Sequence, residues 1–159
     1  MFHLKKPLSF IALGFGSGLS PIAPGTAGSF LAALIYYFVF DPLIENYFRE
    51  FLFILFIIVS FYVGLYVYPR TVEDEEDPGS FVWDEFVGMW IACLPVHLFE
   101  NRLMWLLVAF LLFRLLDIWK PGFIQKFDSK DGAINVMMDD VLAGVLSALI
   151  LYILLIIIY

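Results

Sequence analysis

The chain has 159 residues, 62% of them hydrophobic and only 16% charged, with a formal net charge of −7 and a mean hydropathy of +0.91. Soluble domains carry about 25% charged residues, so this composition excludes an ordinary soluble domain and fits a single integral-membrane domain over 1–159. The acidic balance leaves no basic footprint for nucleic acid, and the lone Cys93 excludes an internal disulfide or a paired-thiol metal or redox motif.

In chain order, the N-terminal MFHLKKPLSFIALGFG imitates a signal peptide, but Gly14, Gly16 and Gly18 interrupt its apolar run and no A-x-A site follows, so we read it as uncleaved. Residues 8–19 are too short to cross a bilayer and too rich in glycine for a stable helix, which predicts an interfacial or re-entrant segment. A spanning helix needs about 20 mostly apolar residues. Residues 26–40 (TAGSFLAALIYYFVF) predict a first span that draws on the Gly/Ser/Pro tract before it, and 51–68 predicts a second without any charge. Residues 81–99 and 103–119 follow as a tight hairpin through Glu100, Asn101 and Arg102, and 141–159 forms another uncharged span. The expected fold is an all-α polytopic membrane bundle of about five spanning helices plus the N-terminal segment.

Alternation of those spans places every polar motif on one face. The same face carries Lys5, Lys6, Arg70, Arg114, Lys120, Lys126 and Lys130, against Arg49 and Arg102 opposite. The positive-inside rule then makes the motif face cytoplasmic. The run EDEED at 73–77 reads as a solvated loop on that face, and His97 falls near the other. Trp83 and Trp119 near the motif face and Trp105 near the other fit interfacial anchors, with Trp90 at mid-span.

Acids within a span cost about 2.5 to 3.5 kcal/mol at the bilayer centre and therefore point to function. Asp84, Glu85, Asp117, Asp139 and Asp140 are such acids, all within a turn or two of the motif face. Packed together, they repel one another unless protonated or bridged by a cation, and a hard cation such as Mg²⁺ takes oxygen ligands of this kind. Helical neighbours point about 100° apart, so one acid of each adjacent pair is expected to face the interior while the other flanks it. In RLLDIWKP, Arg114, Asp117 and Lys120 share one helical face, mixing a metal ligand with cations suited to phosphate oxygens. The alternative for that motif is an ion pair that only makes Arg114 tolerable in lipid. GFGSGLSPIAPGTAGS leads into a helix and offers an anion cradle that includes Ser17, Gly18, Thr26 and Ser29, although it also reads as a close-packed membrane turn.

GFGSGLSPIAPGTAGS, VWDEFVGMW, FRLLDIWKP and MMDDVLAGV together, in this order, resemble the phosphatidylglycerophosphatase A family over about residues 12–150. The resemblance implies a Mg²⁺-dependent enzyme of the bacterial inner membrane that removes the terminal phosphate of phosphatidylglycerophosphate to leave phosphatidylglycerol. It points to Asp84, Glu85, Asp117, Asp139 and Asp140 as the catalytic and metal-binding acids, with Arg114 and Lys120 in the same matched motifs. A competing reading of the buried acids alone is an ion-coupled transporter with an acidic cation site.

Overall fold

The computed structural model describes residues 7–72, 78–120 and 132–159, and these contain helices and no strand. We number the α-helices α1 (Pro7–Ala12), α2 (Pro24–Ile35), α3 (Tyr47–Thr71), α4 (Trp83–Ala92), α5 (Arg102–Trp119) and α6 (Ala133–Ile158). Lys5, Lys6, Lys126, Lys130 and the EDEED run lie outside the described residues.

Three helical stretches are long and apolar enough to cross a membrane: Pro24–Leu43, Tyr47–Thr71 and Ala133–Ile158. The first is α2 prolonged by a widened turn at Tyr36–Phe40 and a tight one at Asp41–Leu43. α3 starts where Asn46 Oδ1 accepts the Arg49 N–H at 3.0 Å, and α5 where Asn101 Oδ1 accepts the Met104 N–H at 3.2 Å. Both are side-chain N-caps. The expected count of about five spans is thus met by three helices on length and hydropathy; α5 carries Arg102, Arg114 and Asp117, and α4 is only 10 residues long. Over 8–19 a short helix, α1, does form before the glycines break it, with Phe15 at φ 58° and Gly16 at φ 100°.

α4 is short because it is enclosed by protein. It packs on α2, α3, α5 and α6, and Trp83, Phe86, Val87, Met89, Trp90 and Ala92 are all buried. A helix that is apolar all round finds its place in a core. It ends at Cys93, followed by Pro95 and a single tight turn at Val96–Leu98. Trp83 is therefore a packing residue and not the interfacial anchor expected from sequence: its indole N–H donates to the Ser60 carbonyl of α3 at 2.9 Å. Trp90 does the same to Ala32 of α2 at 3.1 Å.

The outer surface is apolar in stripes. On α5, Leu103, Leu107, Leu111 and Leu115 recur every fourth residue and are all exposed; α3 exposes Leu55, Ile58, Val59 and Tyr62. Exposed apolar area of this extent belongs against lipid. The helices run alternately up and down. Ion pairs and ring contacts join the ends accordingly: Lys120 after α5 meets Asp139 of α6 at one end, while Arg102 of α5 meets Asp41 after α2 and Phe99 meets Tyr159 at the other.

Candidate active site

Asp84 and Glu85 occupy the first turn of α4, where an acid complements the positive end of the helix. Asp140 comes from α6. One carboxylate oxygen from each of the three lies within 4.8 Å of the other two, and Asp84 and Asp140 are 8% and 3% exposed. The Asp84 Oδ1 accepts the Glu85 N–H at 3.0 Å, and Asp139 Oδ1 accepts the Asp140 N–H at 3.1 Å, so each adjacent acid steadies its neighbour.

The approach of α4 to α6 depends on glycines one turn below these acids. A Cβ on Gly88 would stand 2.6 Å from the Asp140 carbonyl oxygen, and one on Gly144 would collide with the carbonyl of Gly88. Any side chain at either position forces the helices apart, and with them Asp84 and Asp140.

A third element closes the site. The N-terminus of α2 meets α4 at Gly25, where a Cβ would strike Glu85 Oε1 and lie 3.5 Å from Arg114 Nη1. Pro24 at the start of α2 has no N–H, and the N–H groups of Gly25 and Thr26 lack intrahelical acceptors because they precede the first full turn. Arg114 donates to Asp117 Oδ2 at 2.6 Å and to Ser29 Oγ at 3.3 Å, while Ser29 donates to the Gly25 carbonyl at 2.8 Å. The guanidinium is thereby held against α2. Lys120, which caps α5 in a left-handed conformation (φ 45°), donates to Asp139 Oδ2 at 2.8 Å.

Two atoms at this end are buried without a hydrogen-bond partner in the protein: Glu85 Oε2, an acceptor, and Arg114 Nε, a donor. A buried polar atom left unmatched is costly. Two unit charges at 4 Å repel by about 4 kcal/mol at an effective dielectric of about 20, so three crowded carboxylates need protons or a cation. The donor set is all oxygen, as a hard divalent ion requires, and Glu85, one of its members, carries an unmatched buried oxygen; the residues fit such an ion.

Of the residues singled out from sequence, the structure gathers Asp84, Glu85 and Asp140 into one cluster. Both acids of the first pair join it, not one, whereas the second pair divides as expected. Asp117 and Asp139 form an outer ring, each bound to a cation, and Asp117 is within electrostatic reach of Glu85 and Asp140. The Arg114–Asp117 ion pair considered as an alternative does exist, but beside the acids and not out in lipid. Thr26 follows Gly25 at the mouth of α2, and Ser29 is buried behind it as a holder of Arg114. Ser17 donates to the Gly14 carbonyl at 2.8 Å, and Gly18 packs against Ser80 and Val82; both shape the turn that braces α4's start. Gly25, Gly88 and Gly144 were not singled out. For Gly88 and Gly144 a signal was present: a glycine four residues after an acid in both DEFVG and DVLAG.

These features define a helical membrane protein whose buried acids converge with an arginine and a helix N-terminus at one end. The phosphatidylglycerophosphatase A sequence profile matches residues 10–155. Phosphatidylglycerophosphatase A of Escherichia coli K12 is 41% identical over 152 residues, covering 94% of this chain and 84% of the relative. The Haemophilus influenzae protein of the same name is 36% identical, covering 94% and 89%. A Bacteroides thetaiotaomicron protein with a provisional phosphatidylinositol-3-phosphatase name is 39% identical over 157 residues, covering 93% and 95%. No solved structure matches the chain. The chain belongs to the phosphatidylglycerophosphatase A family, and with it to the phosphatase enzymes.

Proposed function

We propose that this chain hydrolyses the terminal phosphomonoester of phosphatidylglycerophosphate, releasing inorganic phosphate and phosphatidylglycerol. In this reading it does so with Mg²⁺, from the cytoplasmic side of a bacterial inner membrane. The observation that carries the proposal is the cluster of three carboxylates, with Glu85 Oε1 at the start of α2 near Arg114 and Glu85 Oε2 buried without a partner.

Asp84, Glu85 and Asp140 would hold the ion, with Asp117 and Asp139 orienting the cations around it. When bound, Mg²⁺ supplies positive charge at the phosphoryl oxygens and lowers the pKa of a water. The chain's own groups do the rest. Arg114, steadied by Asp117 and Ser29, turns its unmatched Nε–H to the phosphoryl group. The Gly25 and Thr26 N–H groups receive another oxygen at the positive end of α2. Lys120 adds a second cation from the rim. Water attacks phosphorus opposite the glycerol oxygen, the P–O bond to glycerol breaks, a cluster carboxylate takes up the water proton, and the leaving alkoxide takes a proton from solvent, to which the carboxylate then returns its own. A lipid substrate reaches such a site laterally, and the apolar faces of α3 and α5 keep the protein in the same bilayer as that lipid. The transporter reading is disfavoured because the acids lie at one end of the bundle, away from the middle where coupling sites form.

The test is phosphate release from phosphatidylglycerophosphate by purified protein in detergent. Turnover is expected to require Mg²⁺, to vanish with EDTA, and to fall at least about a hundredfold in Asp84→Asn, Glu85→Gln and Asp140→Asn. Undiminished turnover in EDTA, or in all three variants, defeats the proposal.

A further inference from the structure

The opposite end of the bundle holds a second built site, about 680 Å³ in volume and lined by Asp41, Asn46, Glu50, His97 and Arg102 among others. Asp41 is only 5% exposed. Its Oδ2 accepts from Arg102 at 3.2 Å, but its Oδ1 is buried with no partner in the protein. Glu50 faces His97 Nε2 at 4.0 Å, and the His97 Nδ1–H donates to the Leu94 carbonyl at 2.8 Å, so the ring is fixed with Nε2 toward the cavity. Arg49 is already engaged with Glu45 at 2.6 Å. Of the charges lining the space, Glu45 is taken by Arg49, which leaves the carboxylates of Asp41 and Glu50 against one guanidinium, Arg102, already paired with Asp41. Nothing in the phosphatase reading uses any of them.

The volume decides the class of ligand. It suits an organic group, in the range of about 300 to 1,000 Å³ typical of ligand pockets, and far exceeds one ion. Among the described residues, the only acidic group tight enough for a metal is Asp84, Glu85 and Asp140. Directly beside the polar cavity, and sharing Ile44 with it, runs an apolar groove of about 420 Å³ lined by Phe40, Leu52, Phe53 and Phe56. Leu43 and Leu52 on its rim are exposed on the outer, lipid-facing surface. A polar chamber beside an apolar groove, with Ile44 lining both, matches the two parts of a phospholipid: head group in the first, acyl chain in the second.

We propose that this end binds a zwitterionic phospholipid with a primary ammonium head group, of the ethanolamine type. The phosphodiester meets Arg102, which commits one nitrogen, Nη1, to Asp41 and has further N–H donors on a half-exposed side chain. The ammonium donates to the Glu50 carboxylate and lies beside the charge of Asp41. A carboxylate gains a charge-assisted hydrogen bond from an ammonium N–H, and a trimethylammonium head group has no N–H to give. A net-anionic glycerol head group meets two carboxylates without the compensating cation. The chemistry therefore selects ethanolamine over both choline and glycerol.

The experiment uses the full chain in mixed micelles with phospholipids of matched acyl chains bearing ethanolamine, choline or glycerol head groups, read by native mass spectrometry of retained lipid. Ethanolamine lipid is expected to be retained at least about tenfold over the other two. Asp41→Asn and Glu50→Gln should each erode that preference, and Glu50→Gln should leave phosphate release unchanged because it lies at the far end from the acids. If Asp41→Asn does not fold, Glu50→Gln alone carries the comparison. Equal retention of ethanolamine and choline lipids, preferential retention of the glycerol lipid, or a preference untouched by Glu50→Gln overturns the proposal and leaves a water-filled cavity with ordinary surface lipid. Because the readout is binding, a failure of the phosphatase reading leaves this result interpretable.

Discussion

Gly88→Ala tests whether close helix approach builds the acidic site. The added methyl would stand 2.6 Å from the Asp140 carbonyl oxygen, about 0.8 Å inside the 3.4 Å at which ordinary contact begins, and 2.6 and 2.8 Å from two ring atoms of Phe113. The ring is fully buried and the carbonyl is helix backbone, so neither yields without moving α5 or α6. Relief comes from separating α4 and α6 by most of that deficit, which carries Asp84 and Asp140 apart by a similar amount. Mg²⁺ demands oxygens at about 2.0 to 2.1 Å in a near-ideal octahedron, and a misplacement of about 1 Å can cost about a hundredfold in rate. We expect turnover to drop about a hundredfold, with higher Mg²⁺ needed for half-maximal activity. The stability cost of overpacking is about 1 to 3 kcal/mol, so the variant should still fold at low temperature. Phosphate release against Mg²⁺ concentration, alongside a thermal melt, reads both. Gly64→Ala is the control: its Cβ meets Met137 Sδ and Cε at 2.5 and 2.6 Å and Trp83 Cδ1 at 3.1 Å; the flexible thioether can move aside, the ring has to give by only a few tenths of an ångström, and no backbone atom is struck. Turnover by folded Gly88→Ala within about threefold of the parent, at unchanged Mg²⁺ demand, would refute the reasoning.

Arg114→Lys keeps the charge but loses the planar guanidinium whose Nη1 bonds both Asp117 and Ser29; kcat for phosphate release should fall about tenfold or more, with a smaller fall in Ser29→Ala, which removes only one support. Lys120→Met should leave the fold intact, raise the KM for the lipid and reduce the salt dependence of turnover, since the rim cation beside Asp139 is gone. After EDTA treatment, Mg²⁺ should restore activity and Ca²⁺ should not, because the larger ion prefers more ligands at longer distances; equal rescue would argue against a compact oxygen site. Trp83→Phe removes the indole donor to Ser60 and should lower thermal stability by about 1 kcal/mol with little effect on turnover.

The acids were legible because charge in an apolar stretch is conspicuous: Asp84, Glu85 and Asp140 declared themselves by their cost in lipid. The alternation of helices was legible too, and it put Arg102 and His97 opposite the motif face, where they are found. The length of α4 was not, because hydropathy cannot distinguish a segment facing lipid from one enclosed by other helices; only the packing of Trp83, Phe86 and Trp90 reveals the difference. Nor was the division of labour among the five acids legible. Asp117 and Asp139 differ from the other three by their cationic partners: Arg114 one turn earlier on the same helix for Asp117, and Lys120, 19 residues away in sequence, for Asp139. Small residues at helix crossings are likewise visible in sequence only as spacing, and their meaning comes from the neighbour they admit.

Asp84 and Glu85 leave the ribosome about fifty residues before Asp140. Throughout that interval α4 carries two acids into or toward the bilayer without the helix that completes their surroundings. Insertion of the earlier helices and assembly around them must therefore be separate events. A nascent chain halted before α6 would hold an unfinished pair of charges, and under the proposed mechanism the order of synthesis delays activity until α6 is in place.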